Sequence, residues 1–222
     1  FEMFYGPLSH YAVLALLPSY SERNDASLAF MVEDWMCQSQ HQINGFYLNN
    51  LNELSEVIKQ IEASQQKTIL IGVTFALLDA IDRFSFDMKH TIIMETGGMK
   101  GMRKEWIRSA LHDHLKKGFG VDYIHAEYGM TELLSQAYSL DGRYFIPPSW
   151  MRVVVRDPSD PGSILKTGRT GRIQIVDLAN IDSCAFISTS DLGSMKSEDS
   201  YEFEVIGRFD HSEVRGCNLL SV

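Results

Sequence analysis

Three short polar stretches carry side chains that could serve one ligand: Glu127-Tyr128-Gly129-Met130-Thr131-Glu132, Thr189-Ser190-Asp191-Leu192-Gly193 and Gly207-Arg208-Phe209-Asp210. Each is expected to lie at the end of a β-strand. An aromatic ring can stack on a base, a threonine hydroxyl can reach a phosphate oxygen, and a carboxylate offers the hard oxygen that magnesium prefers. Tyr128, Thr131 and Glu132 supply those three groups, with Gly129 and Met130 between them. Asp191 has the chemistry to accept hydrogen bonds from the vicinal hydroxyls of a ribose, as carboxylates do in dinucleotide folds. Arg208 can bind sugar or phosphate. A fourth stretch, Gly97-Gly98, follows an apolar strand and lets backbone approach a phosphate or a ring without a Cβ in the way.

Each stretch also has a purely structural reading. Tyr128 can fill a core while Thr131 caps a helix. Asp191 can be a turn former before Gly193, Arg208 can pair with Asp210, and a glycine pair can serve turn geometry alone. The ordered combination favours a nucleotide-sized pocket over coincidence. Of the seven histidines, His10, His41, His90, His125 and His211 have no Cys or carboxylate partner at recognisable ligand spacing, and His112 and His114 stand two apart on an expected helix and so point in different directions, so no zinc site is predicted. The Gly-x-Ser-x-Gly elbow and the Gly-x-x-x-x-Gly-Lys-Ser/Thr loop are absent from the sequence.

The elements that must position these residues alternate. Residues 11–17 read as a buried strand stopped by Pro18, and helical spacing follows in Leu28, Met31, Val32, Trp35 and Met36 and again in Leu51, Leu54, Val57, Ile58 and Ile61. Residues 67–73 return to a strand pattern, Thr74 is expected to cap a helix over 75–81, residues 91–94 form a strand, and a helix is predicted over 103–117, stopped by Gly118. A short strand is expected at 123–126. Such alternation implies α/β architecture: a mostly parallel sheet flanked by helices, with ligands beyond the carboxyl ends of its strands. Past Glu132 the pattern changes to short β segments at 151–156, 171–176, 185–189 and 201–206, which predicts a β-rich antiparallel part or small distorted barrel. The expected division is 1–140 and 141–222, with the softest stretch at 141–148.

A net charge of −9, from 29 acidic against 20 basic residues, disfavours a nucleic-acid surface, which needs clustered Lys and Arg. Three scattered cysteines, Cys37, Cys184 and Cys217, are too few for a disulfide framework and point to a reducing, cytoplasmic setting. Cys184 is expected to pack in a strand. No apolar run approaches the roughly 18 residues of a membrane span. Because the chain begins at Phe1, an upstream portion is expected.

Taken in order, Tyr128-Gly129-Met130-Thr131-Glu132, Asp191, Gly207-Arg208-Phe209-Asp210 and Arg215-Gly216 resemble the adenine, magnesium, ribose and hinge motifs of the adenylate-forming enzymes. Within that superfamily the chain looks most like acyl-protein synthetases of the LuxE type, on the strength of Glu95-Thr96-Gly97-Gly98-Met99-Lys100-Gly101, Thr189-Ser190-Asp191-Leu192-Gly193 and Val214-Arg215-Gly216-Cys217. The resemblance runs from about residue 11 to 220 and implies the partial N-terminal domain of such an enzyme. It implies ATP and Mg2+ as cofactors, a fatty or other carboxylic acid as substrate, and an acyl-acceptor protein such as an acyl reductase as partner. It further implies that Tyr128 packs on adenine, Thr131 touches the α-phosphate, Glu132 holds magnesium, Asp191 and Arg208 hold the ribose, and Gly97, Gly98 and Met99 wall the adenine and acyl pocket. Cys217 matches the near-terminal thiol that such enzymes acylate, a chemically apt nucleophile because a thiolate attacks a mixed anhydride well. Two departures stand beside the resemblance. The Ser/Thr/Gly phosphate loop of the superfamily is not found in this sequence, and the lid domain of roughly 100 residues that follows the hinge in most members is not within its 222 residues. An acid-thiol ligase like phenylacetate-CoA ligase and a non-catalytic nucleotide-binding scaffold remain the alternatives.

Overall fold

A computed structural model describes residues 1–19, 26–97 and 106–208. Phe1–Ala126 forms one compact unit, and a second begins at Glu127.

After a one-turn helix α1 (Glu2–Tyr5), the first unit alternates as its apolar periodicity dictates: β1 (Ala12–Leu16), α2 (Ser27–Ser39), β2 (Gly45–Phe46), α3 (Leu51–Ser64), β3 (Thr68–Val73), α4 (Thr74–Arg83), β4 (Thr91–Thr96), α5 (Arg108–Phe119) and the start of β5 (His125–Tyr128). Every residue of β1 and β3 is buried, which explains their uninterrupted apolar runs. The strands pair in parallel in the order β2-β1-β3-β4, with β5 next. Helix α3 starts where a local hydrogen-bond exchange allows it. The Asn50 side chain accepts from the Glu53 amide at 3.2 Å while its own amide donates to the Glu53 carboxylate at 2.6 Å.

Three expectations change here. Thr74 does not cap α4; its hydroxyl donates instead to the buried Glu95 carboxylate on the neighbouring strand, which has greater need of a donor. Helix α5 begins at Arg108, leaving Trp106 and Ile107 exposed outside it, and its buried face is Leu111, His112, Leu115 and Phe119. Gly118 lies inside that helix, and the stop is Gly120, whose φ of 70° is the left-handed conformation that favours glycine. The strand expected at 123–126 is shifted to His125–Tyr128.

The second unit contains β6 (Ala137–Ser139), β7 (Tyr144–Phe145), β8 (Met151–Arg156), β9 (Gly171–Asp177), β10 (Phe186–Met195) and β11 (Phe203–Arg208). Strands β7-β11-β10-β9-β8 form an antiparallel sheet in that order, and β6 is tied to the residue after β7 by paired hydrogen bonds between Tyr138 and Ile146. Burial alternates along β8 and β9, so Met151, Val153, Val155, Ile173 and Ile175 face a core that also takes Phe145 and Phe203. Cys184 does not pack in a strand. It is exposed in the turn before β10, where the Asn180 side chain holds its carbonyl at 3.0 Å.

A Cβ built on Gly118 would lie 2.6 Å from Ile81 of α4, so this glycine sets the approach of two helices. An alanine in an ordinary helix interior is favoured by about 1 kcal/mol over glycine. Gly118→Ala is expected to destabilise the protein instead, by about 1–3 kcal/mol through overpacking. Urea denaturation checks this; a gain in stability contradicts the close approach of α4 and α5.

Candidate functional site

Tyr128, Asp191 and Arg208 meet at an irregular stretch of β10. Opposite β9, Ser188 faces Gln174 and Leu192 faces Arg172, so four steps along β10 are matched by two along its partner. A further irregularity opposite β11 falls between Leu192 and Gly193. Bulges of this kind re-aim side chains and interrupt the ladder. The lost ladder bonds are replaced locally: Thr189 donates its hydroxyl to the Ile173 carbonyl at 2.9 Å and accepts the Asp191 amide at 3.0 Å.

Asp191 is 6% exposed, and both carboxylate oxygens are engaged. The Tyr128 hydroxyl donates to Oδ2 at 2.8 Å, and Arg208 Nε donates to Oδ1 at 2.9 Å. Arg208 stands directly opposite Asp191 in the β10–β11 register, with half its side chain exposed. The Tyr128 ring packs edge-on against Phe203 and tilted against Phe145, with centroids 5.4 and 5.7 Å away. Burial, reinforced by the Asp191 charge, pushes the Tyr128 phenol far above its ordinary range, so it remains a proton donor at every working pH. Asp191 lies within the ten-residue β10, not at a strand end as the sequence led us to expect, because pairing resumes beyond the bulge.

Gly129 follows Tyr128, and a Cβ there would crowd the movable end of the Glu127 side chain. Met130 is half-buried, and Thr131 and Glu132 are exposed in a turn closed by the Leu133 amide on the Met130 carbonyl at 3.0 Å. No helix starts at Thr131, so it is not a helix cap. The Glu132 carbonyl is held at 2.7 Å by the Asn180 side chain. Tyr128, Asp191 and Arg208 are thus joined by hydrogen bonds, while Thr131 and Glu132 stand on the adjoining turn. In the first unit Gly97 directly follows β4 with a φ of 76°. Gly98, Met99 and Cys217 lie outside the described residues.

Sequence reasoning gave no role to Glu95, Asp177 or Asn180. Glu95 is the penultimate residue of β4, two before Gly97, and is 5% exposed. Thr74 donates to its Oε1 at 2.5 Å, Arg108 Nη2 approaches its Oε2 at 3.3 Å, and His112 Nε2 lies at 3.7 Å. Burial alone would raise this carboxyl; the His112 imidazole, the Arg108 charge and the Thr74 hydroxyl outweigh it and hold it down to about 2. An acidic residue closing the run Ile92-Ile93-Met94 was the available signal, since buried carboxylates almost always have partners.

With that geometry in view, the comparisons with known proteins can be stated. The family model described as LuxE, acyl-protein synthetase, matches residues 27–221. The chain belongs to this family. No curated protein matches it. Among solved structures it is similar to ATP-bound MatB from Rhodopseudomonas palustris, at TM-score 0.63 and 15% identity over 89% of this chain and 40% of that one. It is likewise similar to O-succinylbenzoate coenzyme A synthetase from Bacillus subtilis in complex with AMP, at 0.62 and 16% over 93% and 43%. A third is a long-chain-fatty-acid-CoA ligase from Archaeoglobus fulgidus, at 0.61 and 16% over 90% and 44%. These neighbours are adenylate-forming enzymes, and at such identities the likeness is one of fold. The chain spans about two fifths of their length.

Two stability measurements probe the charged clusters. Holding the Glu95 carboxyl at about 2 instead of its ordinary 4.5 corresponds to roughly 3 kcal/mol. That contribution is complete above about pH 4.5 and is lost as pH falls from there through 2, so Glu95→Gln should flatten the acid limb of stability against pH. An unchanged acid limb in denaturation at pH 6 and pH 3 rules this out. Tyr128→Phe, which strips one donor from a buried carboxylate, is expected to cost about 1.5–3 kcal/mol at neutral pH.

Proposed function

We propose that this chain is the nucleotide- and acyl-binding part of an acyl-protein synthetase that uses ATP to activate a fatty or other carboxylic acid and passes the acyl group to a thiol. The observation that carries the reading is the Asp191 carboxylate, fixed by Tyr128 and Arg208 at a strand bulge. A carboxylate so held keeps lone pairs free for two sugar hydroxyls without rearranging, and Arg208 is exposed enough to reach the ligand as well. Family membership and the adenylate-forming fold support acyl activation as the reaction class.

In this reading the acid's carboxylate oxygen attacks the α-phosphorus of ATP and pyrophosphate leaves, giving an acyl adenylate. Thr131 contacts the α-phosphate from its exposed turn. Gly129 and Met130 bring backbone past the base beside Tyr128; the sequence resemblance assigns Gly97, Gly98 and Met99 to the base and acyl groups. Magnesium keeps several waters and is bound by one or two carboxylates together with substrate phosphates. Glu132, exposed on its turn, offers one such carboxylate. When bound, magnesium neutralises phosphate charge. The Cys217 thiolate, favoured by neighbouring Arg215, then attacks the acyl carbonyl, AMP leaves as the mixed anhydride breaks, and the resulting thioester holds the acyl group for an acceptor protein such as an acyl reductase.

Acid-dependent exchange of labelled pyrophosphate into ATP by the full-length protein tests the activation step. Asp191→Ala is expected to weaken ATP use by roughly 10- to 100-fold, in line with loss of a buried hydrogen-bonded charge worth about 1.5–3 kcal/mol. Labelled acyl retained after denaturation should vanish in Cys217→Ala while exchange persists. Release of acyl-CoA in its place identifies an acid-thiol ligase, and AMP binding without exchange identifies a scaffold.

A further inference from the structure

The turn that carries Thr131 and Glu132 has no regular secondary structure of its own, yet it is tied down from one side by the end of β9. Asp177, fully buried at that strand end, accepts hydrogen bonds from the Leu134 amide at 3.1 Å and the Ser135 amide at 3.0 Å through Oδ2. Its Oδ1 accepts from the Ser135 hydroxyl at 2.7 Å and from the Ala179 amide at 3.1 Å. The Ser135 hydroxyl in turn accepts the Trp150 indole N–H at 2.9 Å. Three residues on, the 6%-exposed Asn180 uses one amide nitrogen to reach both the Glu132 carbonyl, at 2.7 Å, and the Cys184 carbonyl, at 3.0 Å. One short stretch, Asp177-Leu178-Ala179-Asn180, therefore fixes the backbone at 132, 134 and 135.

The chemistry of the clamp suits positioning. Asp177 Oδ2 gathers two consecutive amides that a loop would otherwise leave to water, and Asn180 fastens the carbonyl of the very residue whose carboxylate is exposed. A single carboxylate that shares a hydrated cation with phosphates depends on backbone placement, because no cage of further ligands corrects its aim. We propose that Asp177 and Asn180 are positioning residues that hold the Thr131–Glu132 turn in the shape needed to present Glu132 to a magnesium-bound triphosphate. The proposal rests on the nucleotide reading given above and extends it to two residues outside the ligand contacts. The hydrogen bonds that join Tyr128 and Arg208 to Asp191 are different from those of the clamp, so its loss should separate magnesium dependence from recognition of the nucleoside.

Calorimetric titration of the full-length protein with AMP, and with ATP in the presence and absence of Mg2+, makes the test without relying on turnover. In the wild type Mg2+ is expected to tighten ATP binding. In Asn180→Ala and in Asp177→Asn that gain is expected to fall by roughly 10- to 100-fold, the usual effect of removing a group that supports a metal ligand. AMP affinity should change by less than about twofold, and amide exchange at Leu134 and Ser135 should quicken in Asp177→Asn. Val153→Ala, which destabilises the same unit from the buried face of β8, serves as the control and should leave the magnesium gain intact. Should Asp177→Asn fail to fold, Asn180→Ala carries the test alone. Retention of the full magnesium gain in Asn180→Ala overturns the proposal, as does an equal loss in Val153→Ala. A wild type that binds AMP but shows no magnesium gain overturns it while leaving the nucleoside site standing, and a wild type that binds neither nucleotide overturns both.

Discussion

A carboxylate with almost no access to solvent has to be stabilised by something other than water, and at Asp191 a phenol and a guanidinium do so. That need organises much of the second unit. The bulge in β10 turns the side chain inward, Thr189 repairs the backbone bonds the bulge forgoes, and the Tyr128 ring is wedged against Phe145 and Phe203 so that its hydroxyl arrives from a fixed direction. Glycine at 193 follows from the same geometry, since a Cβ there would collide with the Glu204 carbonyl across the strand pair. The cluster is costly to assemble and is rigid once made.

Glu95 answers the same problem differently. It is surrounded by a hydroxyl from the first residue of α4 and by Arg108 and His112 from the first two turns of α5, so one side chain at the end of β4 ties two helix beginnings to the sheet. Gly97 directly follows this strand with a positive φ, which a residue with a side chain adopts only at a cost.

How far the sequence could be read is best judged from particular residues. The fully buried β1 and β3 were legible because an unbroken apolar run has few other uses, and α3 was legible because Asn50 announces its start and the leucines and isoleucines keep helical spacing. The antiparallel strands β8 and β9 were legible because burial on one face writes itself as alternation. Helix α5 was misjudged at both ends. Trp106 and Ile107 continue the apolar pattern yet lie outside the helix, and Gly118, which looks like a stop, is there to admit Ile81. Cys184 misled for a related reason: apolar neighbours suggested a strand, whereas the Asn180 side chain holds that stretch as a turn.

The sequence by itself determined the order of elements, the switch from parallel α/β to antiparallel β, and the residue types whose chemistry suits a nucleotide. Those are consequences of local periodicity and of side-chain functional groups, both present before the chain folds. Partnership was decided only by tertiary structure. Tyr128 and Asp191 are 63 residues apart and Asp191 and Arg208 17, and whether they meet depends on strand register and on a bulge whose cost is spread over several neighbours. The same holds for Asp177 and Asn180, ordinary turn-forming residues by type, which acquire their part only because folding sets them against the backbone of a turn more than forty residues earlier.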